Sequence, residues 1–172
     1  NPFDTHAIEA AMQLKEGGAI DVDEVVAVTM GPSTAGRALR KAVSLGADRS
    51  VHLSDDALTG SDVCATGYAL AKVLEAESPD LVLLGQQSDD GECYTIGAVV
   101  AGHLQMPSLT QVIQIDVSDG KLRCERQAEY GYDTVLVELP AVISVRHPTN
   151  APPRPAPPPT PKACGSPGTR CG

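Results

Sequence analysis

Tryptophan is absent from this chain and phenylalanine occurs once, so there is little aromatic surface on which nucleic-acid bases could stack. No run approaches the ~18–20 consecutive apolar residues that cross a bilayer, and no membrane insertion is expected. The sequence opens at Asn1-Pro2 without a charged-then-apolar leader, which gives the expectation of a cytoplasmic protein. The five cysteines (Cys64, Cys93, Cys124, Cys164 and Cys171) are odd in number, widely spaced and free of any C-x-x-C pair. They are expected to be reduced thiols rather than zinc ligands. His6, His52, His103 and His147 lack a carboxylate or nucleophile partner at a recognisable spacing, so no catalytic residue is expected.

Charge is divided unevenly. Residues 1–145 hold all 22 acids against nine bases, a net of −13, whereas residues 146–172 carry four bases and no acid. A domain this acidic repels a phosphate backbone, which excludes nucleic acid as the expected partner. Nine of the 14 prolines also fall in 146–172, where Leu, Ile, Val and Phe are missing. That stretch cannot bury enough apolar surface to offset its ordering entropy, and we expect a disordered tail. One domain, residues 1–145, is therefore expected.

Within it, helical and strand patterns alternate. Helices are expected over Asp4–Glu16, Ser33–Leu45, Ser61–Glu77 and Glu92–Leu104, where apolar residues recur at helical spacing. Strands are expected at Val25–Met30, Arg49–Leu53 and Leu81–Leu84. Short apolar, β-branched runs of this kind suit a parallel sheet covered on both faces. The chain then changes style. Thr110–Val117 and Lys121–Gln127 flank Asp119-Gly120, a hairpin signal, and Thr134–Glu138 and Ala141–Val145 follow. These four are expected to extend the same sheet in antiparallel or mixed fashion, giving an α/β fold of Rossmann-like type.

Ligands of open α/β sheets bind beyond the carboxyl ends of the strands. Three segments fall at such ends. Met30-Gly31-Pro32-Ser33 leaves one strand for a helix; it is either a ligand turn with free amides or an ordinary Gly-Pro turn with Ser33 as a cap. The loop Gly85–Gly97 exceeds a minimal βα connection of ~2–6 residues. Gly85 permits close backbone approach, and Gln87 and Ser88 can donate and accept. Asp89, Asp90 and Glu92 suit a helix cap, a ribose hydroxyl, an adenine amine or solvent, and Cys93 is either a reactive thiol or a small contact residue. Asn1-Pro2-Phe3-Asp4 precedes the first helix, with Asp4 expected as its N-cap.

Taken in order, NPFD-x-x-AIEAAMQLKE, VVAVTMGPSTAGRALRKAVSLGADRSVHL, PDLVLLGQQSDDGE and LPAVISV resemble the β subunit of electron-transfer flavoproteins over about residues 1–145. The resemblance implies an adenine-nucleotide-binding α/β domain acting as an electron carrier rather than an enzyme. It implies FAD shared with an α subunit in a heterodimer, and AMP or a second FAD in the β-type site. Acyl-CoA or other dehydrogenases are the implied electron donors. By position the nucleotide contacts fall on Asn1, Pro2, Phe3, Asp4, Met30 and Gly31. They continue over Gly85, Gln86, Gln87, Ser88, Asp89, Asp90, Gly91, Glu92, Cys93, Tyr94, Thr95 and Ile96. Gln86 stands where the family usually has Lys, and Asp89 where it has Ile, which weakens attraction for phosphate. The family carries a further first strand ahead of the position of Asn1, and continues past LPAVISV into a partner-wrapping arm that this sequence does not match. Two other readings are a stand-alone nucleotide-binding regulatory module and a non-functional truncated remnant.

Overall fold

A computed structural model describes residues 1–88 and 92–146. The Pro-rich segment expected to be disordered lies, from residue 147 onward, outside the described residues. The elements run α1 (Pro2–Gly17), β1 (Val26–Met30), α2 (Gly36–Ser44), β2 (Arg49–Leu53), α3 (Val63–Glu77), β3 (Leu81–Gly85), α4 (Ile96–Leu104), β4 (Ser108–Ser118), β5 (Lys121–Ala128), β6 (Gly131–Val137) and β7 (Ala141–Val145). Helices pack on a multi-stranded sheet whose parallel part is followed by an antiparallel one, the α/β class expected.

The strands form two sheets rather than one. β1 and β2 pair in parallel as a two-stranded unit, while the larger sheet has the order β3-β7-β4-β5-β6. β7 inserts in parallel between β3 and β4, and β4, β5 and β6 run antiparallel in sequence. Thus β1 pairs only with β2 and β3 only with β7, and each keeps one unpaired edge among the described residues. The consequence shows in burial: all five residues of β1 are half-buried, whereas all five of β7 are buried.

Strand alternation assigns the two faces of the larger sheet. Ala141, Ile143 and Val145 share a core with Ala7 and Leu14 of α1 and with Leu109, Val112, Leu122, Cys124 and Val137. The alternate residues face α4, where Gly97 sits against Leu84: a Cβ there would lie 3.1 Å from the Leu84 side chain. Gly67 plays the same part between α3 and α4, since its Cβ would approach Val99 Cγ1 to 2.5 Å.

Local chemistry sets the ends. Asp119 and Gly120 both adopt left-handed φ (52° and 74°), and Ser118 pairs with Lys121 across the two-residue turn, as that dipeptide predicts. Asn1, not Asp4, caps α1: its side chain accepts from the Phe3 amide, with Pro2 at the first helical position and Gly18 left-handed at the far end. Ser33 does not cap α2; it opens a short 3-10 turn, Ser33–Ala35, before the helix begins at Gly36. α3 starts two residues later than its pattern suggested, because the Asp62 carboxylate accepts from the Ala65 amide. α4 starts four residues later than expected, after Glu92 in a left-handed conformation (φ 44°).

The small sheet is tied to its neighbours by ion pairs. Lys15 at the end of α1 meets Asp48 before β2 at 2.5 Å, and Asp48 also accepts from the Val25 amide. The ammonium, helped by that amide, holds the Asp48 carboxyl below its ordinary pKa. Arg49 forks onto Glu24 and onto Glu77 of α3, which depresses the Glu77 pKa.

Candidate functional site

Two of the three segments singled out in the sequence meet in space. The start of α1 lies across the carboxyl end of β3. The Asp4 Oδ1 atom accepts from the Gly85 amide at 2.9 Å, and Asn1 Nδ2 donates both to Asp4 Oδ2 (2.8 Å) and to the Gln87 carbonyl (2.9 Å). Gly85 is therefore needed for a reason the sequence did not reveal. A Cβ there would lie 2.6 Å from Asp4 Oδ1, 2.7 Å from the Asp4 nitrogen and 2.7 Å from the Phe3 carbonyl carbon. The close approach that glycine permits is that of the helix itself.

Beyond Gly85 the chain turns under restraint. The Gln86 amide donates to the Val145 carbonyl, extending the β3–β7 ladder by one residue. The side-chain oxygens of Gln86 and Gln87 are both buried and have no hydrogen-bond partner among the described residues. Orphaned acceptors of this kind cost free energy unless a ligand or water supplies a donor. Ser88 accepts from the Glu92 amide through its carbonyl. Asp89, Asp90 and Gly91, also expected at the site, lie outside the described residues.

On the far side of the loop, the Cys93 Sγ and Thr95 Oγ1 atoms are 3.0 Å apart, and that hydrogen bond holds the thiol below its usual pKa. Tyr94 is about half exposed, and Ile96 begins α4. Met30 ends β1 in the other sheet, and Gly31 follows it. Gly31 is gripped at both backbone groups: its amide donates to the Leu53 carbonyl (3.0 Å), and its carbonyl lies 3.0 Å from His52 Nε2. Sequence reasoning did not single out His52; an imidazole between the apolar Val51 and Leu53 was the available sign. Of the other histidines, His103 stacks edge-on against Tyr68 at 5.4 Å.

An apolar depression of about 660 Å³ lies elsewhere, between β2 and α3, bounded by Leu53, Leu58, Tyr68, Ala69 and Val73. It offers few polar groups to orient a nucleotide. The α1–β3 junction, with its paired backbone groups and free carboxamide oxygens, is the better-equipped site. Among the described residues no group of His, Cys, Asp or Glu gathers as metal ligands, and no helix is long and apolar enough to cross a membrane.

Comparison with known proteins gives a consistent result. The electron transfer flavoprotein domain model matches residues 1–165. The electron transfer flavoprotein subunit beta of Mycobacterium leprae is 43% identical over 149 residues, covering 85% of this chain and 56% of the relative. The caffeyl-CoA reductase-Etf complex subunit CarD of Acetobacterium woodii is 39% identical over 145 residues, 84% of this chain and 55% of that protein. Protein FixA of Azotobacter vinelandii is 38% identical over 159 residues, at 87% and 55% coverage. The chain thus spans little more than half the length of these curated relatives.

Proposed function

The chain belongs to the electron transfer flavoprotein family as a β-type member, and from that premise we propose that it binds the adenosine part of a nucleotide at the α1–β3 junction and works as one subunit of an electron carrier. The observation that carries the nucleotide reading is the pair of buried, unpartnered carboxamide oxygens on Gln86 and Gln87. Each is an acceptor lacking a donor, and an adenine amine or a ribose hydroxyl is a donor of the right kind. Asn1 and Asp4 hold the loop in place; Met30 and Gly31, in the other sheet, are the third segment that the family resemblance assigns to the site. AMP and FAD share the adenosine end, so both suit these residues.

The partner in this reading is an α subunit, with which the chain would hold a redox-active FAD and accept electrons from acyl-CoA or other dehydrogenases. A bound flavin supplies the redox chemistry; this chain supplies binding and orientation. No side chain here is assigned acid–base work. The unpaired edges of β1 and β3 suit a further strand, of the kind the family carries ahead of the position of Asn1, closing the two sheets into one.

Co-expression with a candidate α subunit, followed by purification and release of bound nucleotide, tests the proposal. A yellow heterodimer carrying FAD and AMP, or two FAD, is expected. A colourless chain that neither pairs nor retains nucleotide would overturn it.

A further inference from the structure

His52 lies on β2, the strand paired with β1, beside the Met30–Gly31 segment. In the β1–β2 register Thr29 stands opposite His52, so Gly31 is the diagonal neighbour on the same face. The ring reaches along that diagonal and places Nε2 3.0 Å from the Gly31 carbonyl in a half-buried setting. A carbonyl only accepts, so Nε2 must carry the proton. The Gly31 amide is already engaged with the Leu53 carbonyl, and the residue after Gly31 is Pro32, which has no amide. The imidazole is thus the side chain that fixes which way the Gly31–Pro32 peptide faces, at the point where β1 gives way to the next helix.

We propose that His52 is the positioning residue of the nucleotide site, setting the Met30–Gly31 segment through the Gly31 carbonyl. The inference rests on the nucleotide reading given above. Geometry distinguishes which substitutes can do the work. Glutamine carries an amide nitrogen at about the reach of Nε2 and can still donate to the carbonyl. Asparagine ends one atom short, near the position of Nδ1, and leucine donates nothing.

The full chain and its H52L, H52N and H52Q variants are titrated with AMP by calorimetry, with melting temperature measured for each. Wild type should bind, H52L and H52N should bind about 5–10-fold more weakly, and H52Q should recover most of the loss, the factor being that of one hydrogen bond. The Asn and Gln variants should melt within a few degrees of each other, so their difference in affinity cannot come from folding. This pair decides the matter even where the Leu variant is too unstable to assay. Equal AMP affinity in Asn and Gln variants would overturn the role of His52 while leaving the nucleotide reading standing. Losses that track melting temperature alone would do the same. A wild-type chain that takes up no AMP would overturn both.

Discussion

Replacing Gly85 by alanine adds one methyl group at the junction where α1 meets β3. Its new carbon would lie 2.6–2.7 Å from three atoms, two of which belong to the backbone at Phe3 and Asp4. Backbone cannot swing aside as a side-chain tip can, so the first turn of α1 must shift. The Gly85 amide then loses its bond to Asp4. Overpacking of this kind costs ~1–3 kcal/mol, and the lost hydrogen bond ~1 more. The total, about 2–4 kcal/mol, is a large part of the ~5–15 kcal/mol that holds an ordinary domain together. With a urea slope of ~2 kcal/mol/M the unfolding midpoint should fall by about 1–2 M. Gly102 gives the matched control: it lies inside α4, and a Cβ there meets nothing within 4 Å. G102A should stabilise by ~0.5–1 kcal/mol, from helix propensity alone. A G85A midpoint within about 0.3 M of the parent would refute the assigned role of Gly85.

Other outcomes follow from the same contacts. Asp48 has its folded pKa lowered by Lys15, so its stabilisation is present above the unfolded carboxylate value and is lost as pH falls through the folded one. D48N should therefore cost ~0.5–1 kcal/mol at pH 7, the pair being partly exposed, with the gap closing below about pH 4 in thermal melts. Iodoacetamide should reach Cys93, whose thiol pKa is lowered by Thr95, well before Cys124, which burial pushes up to about 11. AMP at saturation should slow alkylation of Cys93, and unchanged labelling would place that residue outside the site. In hydrogen exchange, β7, paired on both sides and buried at all five residues, should be the best protected strand. Supplying an upstream strand should then slow exchange in β1 and β3; no change would dispose of the strand-completion idea. Adenosine should compete with AMP, whereas inorganic phosphate should not; competition by phosphate would contradict the adenosine assignment to Gln86 and Gln87.

What could be read from the sequence was what depends on neighbours in the chain. Asp119-Gly120 predicts its hairpin because two left-handed residues fit the twist of the flanking strands, and that chemistry is complete within the turn. The helices were legible for the same reason, although their starts were not. Asp4 looks like a cap until its carboxylate is seen to be engaged by Gly85, 81 residues away. Sheet order was beyond reach as well: nothing local says that Ala141–Val145 enters between β3 and β4, although five apolar or small residues in a row suit a strand buried on both faces. The three segments proposed to meet a nucleotide stand out by position and by resemblance. Their division of labour does not, because it is written in long-range contacts.

That division bears on which end of a nucleotide the proposed site at the α1–β3 junction would prefer. The Asn1 amide is spent on Asp4 and Gln87, the Asp4 carboxylate on Gly85 and Asn1, the Gln86 amide on Val145, and both backbone groups of Gly31 on the second strand of the small sheet. Among the buried side-chain atoms of the described residues, the two without a partner are the carboxamide oxygens of Gln86 and Gln87. A phosphate at neutral pH presents only acceptor oxygens and gains nothing from two more acceptors. An exocyclic amine or a sugar hydroxyl would gain a bond from each, and would relieve the cost of burying an acceptor without a donor. The absence of the usual Lys at Gln86 fits this arrangement: a cation there would attract phosphate by charge, whereas a neutral carboxamide adds an acceptor that an amine or hydroxyl can use.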